Sequence, residues 1–256
     1  MLCLILFLRA LSGTLIPLLI GGLVLLLLLF ALGRAFGRGL RVVKLQEQER
    51  ERWALAHGWE YERAPIRGLH FRLRGRTAAG LNWMMEDKYS LNQRQGSTAP
   101  LLTWFTDDIQ LPELVLMVVS RSEYKFLKSI AGKALLGIAT AALHTLGASH
   151  NPISEFIERA QAIEPRLPPV AKGFLILSTD EQLARELTGA EVETLLQSFV
   201  QSAVVWTTAQ RSLTISLGAR NLRVQLQSYD RNIETLRKIV RLGTTLAESY
   251  LRVSPR

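Results

Sequence analysis

The stretch LTISLGARNLRVQL, residues 213–226, decides the fold class. Leucine, isoleucine or valine occupies every second position on both sides of the segment GARN, and polar residues occupy the positions between. Successive side chains of a strand point to opposite faces of a sheet. The pattern therefore predicts an antiparallel hairpin with one buried and one solvated face, joined by a turn at residues 218–221.

Further strands are indicated upstream of this hairpin. Residues 69–74 alternate in the same way, and Gly75-Arg76 is expected to form the turn that follows. Residues 81–89 and 101–106 predict a second hairpin with a long tip. The run LVLMVV, residues 114–119, is apolar at every position and predicts a central strand covered on both faces, and residues 173–177 predict another short strand.

Helix signals follow several of these strands. Ser120 and Glu123 match a capping box, and apolar residues then recur at helical spacing as far as Ile138, which predicts a long helix. A second capping box begins at Thr179, and Asp230 is expected to cap the final helix. The chain is therefore predicted to be α+β, with a mostly antiparallel sheet packed by helices.

A proline-rich stretch divides the predicted domain. Pro165, Pro168 and Pro169 interrupt the chain between two segments that share the order of sheet followed by closing helix. We therefore expect two similar halves, residues 59–164 and 165–256, although no residue-level repeat relates them.

The amino-terminal segment predicts a membrane anchor. Residues 10–33 contain no charge, and as a helix these 24 residues would span roughly 36 Å, slightly more than the roughly 30 Å of bilayer hydrocarbon. We expect residues 1–37 to form the transmembrane helix and its basic flank, and residues 38–58 to form a juxtamembrane helix that ends at Gly58. The alternative is a cleaved signal peptide that releases a periplasmic domain, but the apolar run is longer than such peptides usually carry.

The charge distribution favours a membrane partner over a nucleic acid. The chain has 31 basic and 22 acidic residues, but residues 1–76 alone carry twelve basic and five acidic side chains, so the rest is nearly neutral. Nucleic-acid binding would require basic residues over a folded face. The basic residues Arg34, Arg38, Arg41 and Lys44 instead flank the anchor, which indicates lipid contact and a cytoplasmic domain.

No common catalytic, cofactor or metal signature is present in the sequence. The zinc-protease, P-loop, serine-hydrolase and dithiol patterns are absent, and the four histidines fall in separate elements. We therefore expect no cofactor, no metal ligand and no assigned catalytic residue. The acid pairs Glu86-Asp87 and Asp107-Asp108 flank predicted strands, but neighbours on a strand point to opposite faces. A membrane-associated hydrolase that uses Asp107, Asp108 and Glu86 stays as an alternative hypothesis.

Three aromatic residues follow the basic flank. Trp53, Trp59 and Tyr61 are of the types that lie at the head-group level of a membrane. The alternative, which we favour, is that they pack the juxtamembrane helix onto the sheet.

The run WALAHGWEY, residues 53–61, with the later GFLIL and DEQLAR, resembles uncharacterised bacterial membrane-anchored proteins in which a hydrophobic helix carries an α+β domain. The resemblance implies a single-pass protein of the bacterial inner membrane and supplies no active-site residue. The sequence leads us to expect a non-enzymatic, membrane-tethered cytoplasmic interaction or scaffold domain that engages lipid and a protein partner.

Overall fold

The computed structural model describes residues 44–64, 66, 68–92, 97–129, 152–201, 212–218, 221–227 and 229–254, together with Phe30 and Arg34. The chain forms two compact units, Met1–Arg52 and Trp53–Arg256. Residues 44–52 of the first unit are helical, and so are residues 53–56, with which the second unit begins. Gly58 follows with a positive φ of 69°, as predicted for the end of a helix.

The second unit contains a sheet that has nine strands in the described part of the chain. The strands are β1 (Glu60–Arg63), β2 (Leu69–Arg76), β3 (Asn82–Asn92), β4 (Ser97–Thr106), β5 (Leu116–Ser120), β6 (Gln161–Ile163), β7 (Phe174–Ser178), β8 (Ser212–Leu217) and β9 (Leu222–Gln227). Their order is β1-β2-β3-β4-β9-β8-β5-β7-β6, and all neighbours are antiparallel. The α+β prediction with a mostly antiparallel sheet is therefore confirmed.

Six helices of the second unit are described by their bounds. They are α1 (Arg121–Lys128), α2 (Pro152–Arg159), α3 (Pro168–Gly173), α4 (Glu181–Leu187), α5 (Ala190–Gln201) and α6 (Ile233–Val253). The long helix α6 packs against β4 and β9. At Gly243 its backbone approaches Trp104 so closely that a β-carbon would lie 2.3 Å from the indole ring.

The core lies mainly between one face of the sheet and the helices. Its members include Leu73, Met85 and Trp104 from the strands and Leu236 and Leu246 from α6, all at most 1% exposed. A smaller cluster forms where Phe156 of α2 packs with four strand residues, Met117, Val119, Leu175 and Leu177. All five residues of β5 are buried, which confirms the prediction that this apolar run is a central strand.

Strand β5 lies between β8 and β7, so the sheet is continuous across the predicted boundary at residue 165. The division into two similar halves stays a prediction. The predicted transmembrane segment, residues 10–33, lies outside the described residues apart from Phe30. Among the residues that the structure describes, no helix combines the length and the apolar composition needed for a membrane crossing.

The predicted turn at Gly75-Arg76 is wrong. Both residues belong to β2, and the turn falls at residues 78–80, where Thr77 N–H donates to Leu81 O at 2.9 Å and Gly80 has a φ of 87°. Glycine is used at position 75 because the rings of Trp59 and Trp83 pack there: a β-carbon would lie 2.4 Å from Trp83. The glycine therefore marks a close approach and not a turn.

Three helix ends also differ from prediction. The capping box at Ser120 is confirmed, but α1 ends at Lys128, where Ser129 adopts an extended conformation, and residues 130–150 lie outside the described part. Helix α4 is capped by Asp180 and not by Thr179, and α6 is capped by Asn232 and not by Asp230. At the start of both α4 and α6, a short polar side chain accepts a hydrogen bond from the backbone N–H three residues ahead.

Candidate functional site

A cleft of about 420 Å³ lies at the end of the sheet where β1, β2 and β3 meet the turn after β4. We call it the sheet-end cleft. Its lining includes apolar side chains of β3 and β4 and charged side chains on both sides of them: Glu60, Arg74, Arg76, Met84, Phe105, Asp107 and Asp108. All of these residues belong to the second unit.

The floor of the cleft is apolar. Met84 and Phe105 are directly opposite each other on β3 and β4, so their side chains lie on the same face of the sheet, and both are half-buried. The guanidinium carbon of Arg223 on β9 lies 5.9 Å from the Phe105 ring centroid, within the range of a cation–π contact. The floor can therefore accommodate an apolar side chain of a binding partner, next to the guanidinium group of Arg223 over the Phe105 ring.

Asn82 joins the two sides of the rim. Arg76 Nε donates to Asn82 Oδ1 at 3.0 Å, and Asn82 donates from its backbone N and from Nδ2 to Asp108 Oδ2 at 2.6 and 3.1 Å. Because arginine only donates and a carboxylate only accepts, this orientation of the Asn82 amide is the one that satisfies both neighbours. The rim charges are therefore held in place.

The carboxylates that could serve a hydrolase do not converge. Asp108 binds Asn82, and Asp107 Oδ1 accepts from Asn221 Nδ2 at 3.1 Å. Glu86 does not line the cleft and is bound by Arg72, whose Nη2 lies 2.8 Å from Glu86 Oε1. The three acids are thus divided between two places on the sheet, and each of them holds a neighbouring residue.

Asp87, the neighbour of Glu86, points to the opposite face, as expected for a strand. It is fully buried, and its Oδ2 lies 2.9 Å from Nε of Arg231, the residue two positions before α6. Burial raises the pKa of the Asp87 carboxyl, although the charge of Arg231 acts in the other direction. Burial and the charge of Asp87 together raise the pKa of Tyr229 well above its ordinary value.

The ion pair between Asp87 and Arg231 fastens the start of α6 to the sheet. The side chain of Arg231 also lies over the Tyr89 ring, 4.9 Å from its centroid. No local sequence pattern indicates this ion pair, because its partners are 144 positions apart. The one available signal is Asp87 itself, an acidic residue at an inward-facing position of a predicted strand. A carboxylate buried there requires a compensating charge or hydrogen bond.

The three aromatic residues singled out from the sequence lie in or against the core. Trp53 is 8% exposed, and Trp59 and Tyr61 are partly buried against the core residues. The Trp59 ring makes edge contacts with Trp53 and Trp83 at centroid distances of 5.0 and 4.9 Å. The three side chains therefore pack in or against the core, and a role at the membrane surface stays a prediction.

Of the basic residues predicted to flank the membrane, Arg34 and Lys44 are described, and both are exposed. Arg38 and Arg41 lie outside the described residues. Within the described ranges, no group of three or more histidine, cysteine, aspartate or glutamate side chains is placed to hold a metal ion.

Comparison with known proteins found no matching protein family and no matching curated sequence. The crystal structure of the mycobacterial trehalose monomycolate transport factor A, TtfA, is similar to the chain with a TM-score of 0.42 and 13% sequence identity. The similarity covers 81% of this chain and 95% of TtfA.

Proposed function

We propose that the chain is a membrane-tethered cytoplasmic interaction or scaffold domain that binds a protein partner through the sheet-end cleft. In this proposal residues 1–37 form the anchor and its basic flank, residues 38–58 form the juxtamembrane helix, and the sheet with its helices is the binding module.

The shape and chemistry of the cleft support a binding role. Its floor of Met84 and Phe105 is apolar and half-buried, and its rim is charged and exposed. Enzyme sites usually enclose the substrate and bring several polar groups together around it. Here Asp107 and Asp108 hold asparagine side chains instead, which fixes the shape of a surface.

The charge pattern of the sequence supports the tether. Most of the net positive charge lies in the first 76 residues, next to the uncharged segment of residues 10–33. Basic residues beside an apolar span favour the cytoplasmic side and contact with anionic lipid.

Site-specific photo-crosslinking tests the proposal. A photoreactive amino acid replaces Met84 in the full chain, which is then irradiated in its native membranes, and the matched control carries the same amino acid at the exposed Glu186 of α4. We expect one defined protein adduct at Met84 that the control lacks and that excess unlabelled full chain reduces by competition. The absence of any adduct specific to Met84 would overturn the proposed binding role.

A further inference from the structure

Arg223 of β9 lies beside the floor of the sheet-end cleft and is half-buried. Its directly opposite neighbours are Phe105 on β4 and Ser216 on β8, and Phe105 is in turn opposite Met84 on β3. Directly opposite residues of neighbouring strands point to the same face of a sheet. The side chains of Met84, Phe105 and Arg223 therefore form a row across three strands, with the cation next to the apolar floor.

The guanidinium group of Arg223 has no polar partner in the described part of the chain. Its Nε is buried without a hydrogen bond, whereas its two terminal nitrogens reach the surface. The amides of its neighbours on the same face of β9 are directed elsewhere: Asn221 Nδ2 donates to Asp107 at 3.1 Å, and Gln225 Nε2 donates to Thr103 at 3.5 Å. Arg223 therefore keeps its hydrogen-bonding capacity.

Two arginines of β2 on the same face of the sheet are compensated. Arg72 Nη2 lies 2.8 Å from Glu86 Oε1, and Arg74 Nη1 lies 3.5 Å from Glu60 Oε2. Arg223 has no acidic residue directly opposite it on either neighbouring strand. An anion can therefore bind Arg223 without breaking an existing ion pair, whereas an anion that binds Arg72 must compete with Glu86.

The position of Arg223 favours a single acidic side chain as the anion. A guanidinium group can lie over an aromatic ring and still present planar donors that match a carboxylate. Anionic membranes attract clusters of basic residues at the protein surface. A half-buried arginine beside a cleft is instead reached by one side chain that enters from a partner.

We propose that Arg223 binds the carboxylate of an acidic side chain of the protein partner, while an apolar side chain of the same partner covers Met84 and Phe105. Neighbouring strands are about 4.8 Å apart, so the two partner side chains need to be about 5–7 Å apart. Residues one turn apart on a helix or two positions apart on a strand meet this requirement. The inference rests on the proposed function and adds the chemistry that the partner must present.

Competition for the Met84 adduct tests the inference. Membranes that contain the chain with the photoreactive amino acid at position 84 are solubilised in detergent and irradiated with increasing amounts of unlabelled full chain. We expect unlabelled Arg223→Gln to require about tenfold more protein than the wild type to halve the adduct, which is the loss expected for a hydrogen bond between charged groups. Arg223→Lys, which keeps the charge without the planar donors, should give an intermediate loss. The control Arg185→Gln removes an exposed arginine of α4 and should compete like the wild type.

The carboxylate of the partner is identified by a double-mutant cycle. Mass spectrometry locates the crosslink on the partner, and each nearby acidic residue is replaced by its amide. We expect one replacement to weaken competition by the wild type about tenfold and to cause no additional loss with Arg223→Gln, because either change removes the same contact.

Thermal unfolding of the competitor proteins separates binding from folding. Because Arg223 has no polar partner in the described structure, Arg223→Gln should leave Tm within about 2 °C of the wild-type value. A fall of more than about 5 °C would show that Arg223 stabilises the sheet, and it would overturn the inference.

Two further outcomes would overturn the inference and leave the proposed function standing. One is a protein adduct at Met84 for which Arg223→Gln and the wild type compete equally. The other is a loss with Arg223→Gln that no acidic residue of the partner shares. An adduct with lipid alone, or no adduct at Met84, would overturn the proposed function and this inference together.

Discussion

Replacing Gly243 by alanine adds one methyl group where α6 crosses the sheet. The added carbon would lie 2.3, 2.4 and 2.6 Å from Cδ2, Cε3 and Cε2 of Trp104. Carbon atoms in contact are normally about 3.5–4.0 Å apart, so the helix or the fully buried indole ring must move by about 1 Å. Nothing in the helix itself requires glycine, because Gly243 has no positive φ.

Two opposing terms set the expected size of the effect. Overpacking of a filled core costs about 1–3 kcal/mol, and a clash with a rigid ring belongs at the upper end of that range. Alanine is favoured over glycine inside a helix by about 1 kcal/mol. We therefore expect Gly243→Ala to lower the free energy of unfolding by about 2 kcal/mol and Tm by about 4–8 °C.

Thermal unfolding of the full chain in detergent, followed by far-ultraviolet circular dichroism, measures the change. Thr244→Ala at the next, half-buried position is the matched control, with an expected change within about 0.5 kcal/mol. Adding Trp104→Leu to Gly243→Ala should make the pair less destabilising than the sum of the two single changes by about 1 kcal/mol or more. A Gly243→Ala variant more stable than the wild type would refute the close approach.

Further predictions concern buried carboxylates and the anchor. Glu193 is 2% exposed, and its two oxygens accept backbone N–H groups at 2.7 and 2.8 Å. Glu193→Gln should lower the free energy of unfolding by about 1–3 kcal/mol in denaturant titrations, because the amide NH2 would oppose one of these donors, whereas exposed Glu191→Gln should be neutral. Burial raises the pKa of Asp87 above 3.8, so the folded protein holds this proton more tightly than the unfolded chain does. The free energy of unfolding of the wild type, relative to that of Asp87→Asn, should therefore be lowest at pH values above the folded pKa. It should rise as the pH falls through the folded pKa towards 3.8. Denaturant titrations of both proteins at several pH values measure this, and a difference in free energy of unfolding that stayed constant with pH would contradict the prediction. Deleting residues 1–37 should move the protein from the membrane to the soluble fraction on centrifugation. In intact cells Cys3 should react with an impermeant thiol reagent, and labelling only after permeabilisation would contradict the proposed orientation.

Much of the sheet could be predicted from local pattern. The hairpin of residues 213–226 and the buried run that became β5 were found because alternation and continuous apolar character report directly how many faces of a strand are covered. Errors appeared where one residue type serves two purposes. The local sequence at Gly75 predicts a turn, but this glycine instead allows two tryptophan rings to approach a strand.

The site was less accessible to sequence reasoning than the sheet. The acid pair Asp107-Asp108 was noticed as a candidate, but its role became clear only when Asn82, 26 positions away, was found to join Asp108 to Arg76. Arg231 gave no signal in its own neighbourhood, because the residue that it neutralises lies on β3.

The sequence by itself determined the α+β class, the strands with one or two covered faces and the position of the positive charge, because each of these depends on the order of neighbouring residues. Only the tertiary structure decided the strand order, which inserts β5 between β8 and β7, and the partners of the buried and rim charges. The physical reason is that antiparallel pairing and ion pairing depend on distance in space. A sequence pattern records which residues need a partner, and the packing of the whole chain selects it.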